Sequence, residues 1–212
     1  MWRKLLVFDC DGVLTYEKSS WRVLHEYFGS RDNSYFANLY KQGVISYLDW
    51  MKIDVALMIH SYGKPIKKED VEKALSKIKP RPQARRVIRE IINRGHLVAV
   101  VSSGVDLVVK RICTELGIEL CLYNELVFHG EELIPGGAVR VPLKEKSHIV
   151  KRLAEETGIG LNNTIYVGDD EWDVEVFKTV PTSIAIEPCG EACNYAKHVI
   201  RDLEDILVLG IV

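Results

Sequence analysis

Short apolar runs alternate along the chain with stretches whose apolar positions recur every three or four residues. LLVFD (5–9), LVAVVSS (97–103), TIYVGD (164–169) and SIAI (183–186) are apolar almost throughout, as strands buried on both faces are. LCLYN (120–124) is a weaker strand candidate. Between them, residues 83–95, 105–117, 146–158 and 171–180 carry helical periodicity, and several end in Gly or Asn, a common helix stop. Alternation of strand and helix predicts an α/β fold, a Rossmann-like parallel sheet with helices on both faces.

Two segments break the rhythm. Residues 16–79 place Trp21, Leu24, Tyr27 and Phe28, then Tyr35, Phe36, Leu39 and Tyr40, then Leu48, Met51, Val55 and Met58 at helical spacing. A last helix is expected from Lys68 to Ile78, after Pro65. Lys79-Pro80-Arg81-Pro82 then suits a boundary, because proline cannot continue a helix. The expected organisation is therefore a core domain of 1–15 and 80–212, with a small all-helical cap, 16–79, inserted after the first strand. Residues 125–141, ELVFHGEELIPGGAVRV, read as a β-hairpin with glycine-containing turns.

Composition narrows the function. The chain has 212 residues, 28 Lys and Arg against 30 Asp and Glu, and so a net charge of −2. That balance lacks the positive excess of a nucleic-acid binder. No apolar run reaches the ~20 residues of a membrane span. The start, Met1-Trp2-Arg3-Lys4 and a short apolar run, is too brief for a signal peptide, and five cysteines are an odd count, so a reducing cytoplasm is expected. Cys189 and Cys193 are read as unpaired near a loop, with a disulfide as the alternative. No pattern fixes the oligomeric state, and a homodimer is compatible with the chain.

In open parallel sheets, ligands bind beyond the C-terminal ends of the strands. Asp9-Cys10-Asp11-Gly12 follows the first strand, Ser102-Ser103-Gly104 the second, and Asp169-Asp170 with Glu171 and Asp173 a third. Any one of these groups could simply cap a helix. Together they place several carboxylates on one rim, where they would repel one another. A divalent cation relieves that repulsion, and all-oxygen ligation suits Mg²⁺. Such a pair of aspartates can run phosphoryl transfer: one attacks phosphorus, the other moves protons. A hydroxyl and a cation for the phosphoryl charge are available in Ser102 and in Lys144 or Lys146. Cys10, between the two aspartates, should point away into the core.

VFDCDGVLT, VAVVSSG, a lysine opening a helix, and YVGDDEWD resemble, in order, the four motifs of the haloacid dehalogenase-like phosphatases. The similarity covers roughly 1–15 and 83–206 and is closest to the phosphoserine phosphatase branch. The family's lysine precedes the last motif by about two dozen residues. Lys146 lies 23 residues before Asp169, which favours it over Lys144. The resemblance implies Asp9 as nucleophile and Asp11 as general acid/base, with its backbone carbonyl on Mg²⁺. It implies Asp169 as a metal ligand, with Asp173 supporting the metal site. Ser102 and the backbone N–H groups of Ser103 and Gly12 would hold the phosphoryl group, and Lys146 would balance its charge. The implied function is Mg²⁺-dependent hydrolysis of a small phosphomonoester through an aspartyl-phosphate. The alternatives are a phosphotransferase or mutase with the same intermediate, and a non-catalytic phosphate-binding module.

The sequence also departs from that branch. A glutamate is usual about nine residues after the nucleophile, where this chain has Lys18 beside Glu17, and a cap arginine usually grips the substrate carboxylate, where Tyr47–Met58 offers Lys52 but no arginine. Asp170 and Trp172 replace a glycine and an asparagine of the last motif. These changes spare the phosphoryl machinery and affect the amino-acid end of the substrate. Lys18 is read as a solvated lysine. Trp21, Trp50 and the tyrosines of 16–79 are read as that segment's own core, with one or two facing a pocket. His25, His60, His96, His129, His148 and His198 lack metal spacing and are read as surface or satisfied residues.

Overall fold

A computed structural model describes residues 3–30 and 33–212; the Met1-Trp2 start considered above lies outside them. β1 (Leu5–Phe8) leads into four helices, α1 (Ser20–Phe28), α2 (Ser34–Gln42), α3 (Tyr47–Tyr62) and α4 (Lys68–Leu75). The chain then alternates through α5 (Ala84–Asn93), β2 (Leu97–Val105), α6 (Asp106–Leu116) and β3 (Leu120–Asn124). A small antiparallel hairpin, β4 (Phe128–His129) and β5 (Glu132–Leu133), follows. The last part is α7 (Lys146–Glu156), β6 (Thr164–Gly168), α8 (Val174–Thr179), β7 (Thr182–Ile186) and β8 (His198–Ile200).

Six strands form one parallel sheet in the order β3-β2-β1-β6-β7-β8. Strand alternation sorts the apolar side chains into two cores. Leu6, Phe8, Val98 and Val100 face one side, with Val87, Ile88, Ile91 and Ile112 of α5 and α6. Leu5, Val7, Ala99 and Val101 face the other, with Ile149, Val150, Leu153 and Phe177 of α7 and α8. The register is what positions the site. Phe8 pairs with Val100 on one flank and Val167 on the other, so Asp9, Ser102 and Asp169 all fall within two residues of one register and share one rim.

The helical insertion returns to its starting point, where Thr15 bridges Pro80. Its helices are locally specified. Ser46 and Asp49 form a capping box at the head of α3, and Ser19 caps α1 by accepting from the Arg22 N–H at 3.2 Å. The insertion leans on the rim. Trp21 Nε1 and Tyr47 Oη both donate to the Ser103 carbonyl, at 3.2 and 3.1 Å. Farther out, Lys41 pairs with Glu171 at 2.6 Å, and Tyr40 Oη accepts from the Lys144 N–H at 3.1 Å.

Several expectations need correction. The helix expected at 171–180 is split: Glu171–Asp173 is a single 3₁₀ turn, and only Val174–Thr179 is α-helical. β8 has no counterpart in the apolar runs. It is three residues long, and Val199 faces outward at 46% exposure. Cys189 and Cys193 are joined as a disulfide rather than unpaired, and Cys113 pairs with Cys121 across the α6–β3 turn. Cys10 is free and fully buried beside Leu6 and Phe8, away from the rim as expected.

Candidate active site

Asp9, the residue after β1, is buried at the centre of the rim. Lys146 opens α7 with its ammonium also buried, donating to Asp9 Oδ2 and, at 2.7 Å, to Asp173 Oδ1. Burial opposes that ammonium's charge, but the Asp173 and Asp9 carboxylates outweigh it and hold the lysine charged well above its ordinary range. Asp173 is correspondingly held low: burial works against its charge, and Lys146 and a 2.6 Å hydrogen bond from Tyr166 overcome it. Its other oxygen accepts from the Asp169 N–H at 2.8 Å. Asp173 is thus fully engaged in fixing the loop that carries Asp169.

Asp11 lies one turn of backbone away. Its Oδ2 accepts from the Ser20 N–H at 2.6 Å and the Ser20 hydroxyl at 2.7 Å. The first N–H groups of a helix have no helical acceptor, and Ser20, first in α1, turns its own toward Asp11. Asp11 Oδ1 is buried without a partner among the described residues. Burial raises the Asp11 pKa to about 6 even against the two Ser20 hydrogen bonds.

Asp169 and Asp170 are pushed up to about 8 and about 7, first by burial and then by Asp173. Burial and the Asp173 charge also push Asp9 up, against Lys146. The ammonium groups present leave these carboxylates short of positive charge. One oxygen from each of Asp9, Asp169 and Asp173 lies within 4.8 Å of the others, a spacing that fits a metal ion. The backbone makes room there. Gly12 has φ of +76°, and a Cβ at that position would stand 2.1 Å from Asp169 Oδ2.

The rim brings together Asp9, Asp11, Gly12, Ser102, Ser103, Lys146, Asp169 and Asp173. Ser102 is buried next to Asp9, whose charged form it favours, and its hydroxyl accepts from the Gly104 N–H at 3.2 Å. Ser103 gives its hydroxyl to the Val141 carbonyl at 2.8 Å. Two readings change. The Gly12 N–H is taken by the Glu17 carbonyl at 2.7 Å, so Gly12 offers close approach rather than a free donor. Lys18 is not a solvated lysine: its ammonium sits on Asp169 Oδ2 and on the Pro188 carbonyl. Lys144 is outside the site, donating to the Lys41 carbonyl at 2.7 Å.

Sequence reasoning missed the buried Arg81, which donates to the carbonyls of Gly12, at 2.8 Å, and Thr15, at 3.3 Å, and so braces the loop that carries Asp11. It also missed Asn124, at the end of β3, which ties the Ser103 and Val141 carbonyls together at 3.1 and 3.0 Å. Above the rim, a cavity of about 530 Å³ opens between sheet and insertion. Trp21, Tyr47, Trp50 and Met51 line it along with Asp9 and Asp11, so three aromatic residues of the insertion face it. His25 lines it too, with its ring nitrogens satisfied by Ser30, Asn33 and Asp54 as expected, whereas His96 is buried with Nε2 unpartnered among the described residues and departs from the expectation of a surface or satisfied histidine.

The structure is an α/β fold whose parallel sheet carries a buried acidic rim beneath a helical insertion. The chain matches the haloacid dehalogenase-like hydrolases over residues 6–178 and belongs to that family. It is 30% identical over 208 residues to a phosphoserine phosphatase of Methanocaldococcus jannaschii, covering 97% of this chain and 92% of that one. It is 27% identical over 206 residues to one from Archaeoglobus fulgidus, covering 96% of this chain and 56% of that longer protein. Among solved structures, a phospho-aspartyl intermediate analogue of phosphoserine phosphatase superposes with a TM-score of 0.80 at 28% identity, covering 98% of this chain and 99% of that one. The protein is a phosphoserine phosphatase-like hydrolase. Among its described residues, no helix is long and apolar enough to cross a membrane.

Proposed function

We propose that this chain hydrolyses a small phosphomonoester through a covalent phosphoryl group on Asp9, with Mg²⁺ as its metal. The observation that carries this reading is the contrast between two neighbouring carboxylates. Asp9 is bonded to the Lys146 ammonium, whereas Asp11, held at about 6 with one bare oxygen, suits a proton donor.

In the first step an Asp9 oxygen attacks phosphorus, and the bond from phosphorus to the ester oxygen breaks. Asp11 gives its proton to the departing alkoxide. In the second step Asp11, now a carboxylate, takes a proton from water as that oxygen attacks phosphorus. Inorganic phosphate leaves and the Asp9 carboxylate is restored. Ser102 and the Ser103 N–H hold the phosphoryl oxygens, and Lys146 offsets their charge. Asp9, the Asp11 carbonyl and Asp169 would hold Mg²⁺, with Asp173 setting the Asp169 loop. When bound, the ion neutralises phosphoryl oxygens and keeps the displacement in line.

The insertion, 16–79, acts as a cap domain over the core of 1–15 and 80–212. Its contacts through Trp21, Tyr47 and Tyr40 close the cavity and keep bulk water from the phosphoryl-enzyme. A cytoplasmic location fits this activity, in a cytoplasm that tolerates the two disulfides.

The test is phosphate release from an aryl phosphate with and without Mg²⁺, together with acid-quenched mass spectrometry of the Asp9 peptide. The expected results are Mg²⁺-dependent release and one phosphoryl group on that peptide. A chain that binds phosphate without releasing it from any ester under any divalent metal refutes the reading.

A further inference from the structure

The far wall of the cavity carries charge of the wrong sign for a carboxylate. Asp54, on α3, lines the cavity and is only 4% exposed. Its Oδ1 accepts from Asn33 Nδ2, and His25 Nε2 stands 3.5 Å away. A carboxylate so deeply buried needs a hydrogen-bonding or cationic partner. The same cavity is lined by the aromatic residues Trp21, Tyr47 and Trp50, and Glu26, an exposed residue, adds a second carboxylate to the lining. The polar atoms of Trp21 and Tyr47 are already taken by the Ser103 carbonyl, so these two residues offer the cavity their rings.

Of the basic residues that line the cavity, the two lysines are committed to the rim and His25 already stands against Asp54. Lys146 is held by Asp9 and Asp173, Lys18 by Asp169 and Pro188, and Arg22 is exposed at the mouth. A substrate carboxylate reaching Asp54 would meet a like charge there, with Arg22 at the mouth as the cation left to draw it. An ammonium group fits the same wall. It donates hydrogen bonds, pairs with a buried carboxylate, and is attracted by aromatic faces.

We infer that Asp54 is a specificity residue that receives the amine of an amino-alcohol phosphate lacking a carboxylate, so that phosphoserine is a poor substrate. This deepens the phosphatase reading and rests on it. The rival is a polyol phosphate, because Trp50 Nε1 is buried without a partner among the described residues and would meet a ligand oxygen.

The experiment compares kcat/KM for phosphoethanolamine, phosphocholine, phosphoserine, glycerol phosphate and an aryl phosphate with the purified Mg²⁺-loaded enzyme. The expected result is at least a tenfold preference for an amine ester over both phosphoserine and glycerol phosphate. In Asp54→Asn the ratio of amine ester to glycerol phosphate should fall at least tenfold, mostly through KM. Equal or better use of phosphoserine or of the polyol ester overturns the inference without any variant. So does an Asp54→Asn enzyme that loses the same factor on every ester, since Asp54 would then only brace His25 and Asn33. Hydrolysis of the aryl phosphate alone defeats this inference and leaves the phosphatase reading standing. No hydrolysis of any ester defeats both.

Discussion

Ser20 donates twice to one oxygen of Asp11, from its backbone N–H at 2.6 Å and its hydroxyl at 2.7 Å. The same hydroxyl accepts from the Val105 N–H at 3.1 Å. The first residue of the insertion's first helix therefore links Asp11 to the strand that carries Ser102. Replacing Ser20 by Ala keeps the N–H bond and removes the rest. The Val105 N–H is then left without that partner in a buried place, at a cost of about 1–3 kcal/mol in unfolding free energy. The loss should appear in urea denaturation, and kcat should fall while KM for an aryl phosphate moves little. A Ser20→Ala enzyme with wild-type stability and kcat would show that the link is incidental.

Asp9 and Lys146 should respond very differently to removal. Burial and Asp173 already push Asp9 toward its neutral form, so Asp9→Asn replaces a crowded carboxylate with a neutral group of the same shape. Turnover should drop by roughly 10³-fold or more, as for loss of a nucleophile. The melting temperature should hold or rise. Lys146→Met instead leaves Asp9 and Asp173 buried without their ammonium, a change that costs about 3–5 kcal/mol. Calorimetry on the two variants checks the contrast. Equal destabilisation by both would mean that the cluster is not short of positive charge.

How much of this was legible depended on the reach of each interaction. Asp9, Ser102 and Asp169 could be read because an apolar strand run marks where each strand ends, and parallel register brings the ends together. Lys146 was separable from Lys144 only through the spacing of a known motif. Arg81 and Ser20 carry no periodic signal: they act by hydrogen bonds to groups 69 and 9 residues away. Lys18 reaches Asp169 across 151 residues, so composition alone made it look solvated. Cys189 and Cys193 pair because their loop brings the Cα atoms to 5.3 Å, a distance that sequence separation does not fix.

Lys18 stands where positive charge is wanted. Its ammonium occupies Asp169 Oδ2, an oxygen that a metal ion would also use. Replacing Lys18 with Gln removes this internal competitor and leaves Asp169 more in need of a cation. Mg²⁺ should then bind several-fold more tightly, as measured by titration calorimetry without substrate. Thermal stability should depend more steeply on Mg²⁺, because a ligand that binds only the folded state stabilises it in proportion to its affinity. Chelation should lower the melting temperature of the wild type as well. Unchanged or weaker Mg²⁺ binding in Lys18→Gln would show that the lysine moves aside without cost.

His96 lies outside the site and sets a separate pH response. It is 4% exposed, its Nδ1 accepts from the Lys4 N–H at 3.2 Å, and its Nε2 has no partner among the described residues. Burial, with Lys4 and Arg94 nearby, holds its pKa below the ordinary histidine value. The unfolded chain therefore takes up this proton first as pH falls below about 6.5. Stability from His96 is complete above that value and is lost as pH drops toward the lower folded-state pKa. The carboxylates raised at the rim act with the opposite sign, since the folded state holds their protons more tightly. The effect must therefore be read as a difference between two proteins. His96→Asn keeps an acceptor for the Lys4 N–H and cannot titrate. Its urea midpoint should fall less than the wild type's between pH 7.5 and 5, and parallel curves for the two would remove His96 from the account.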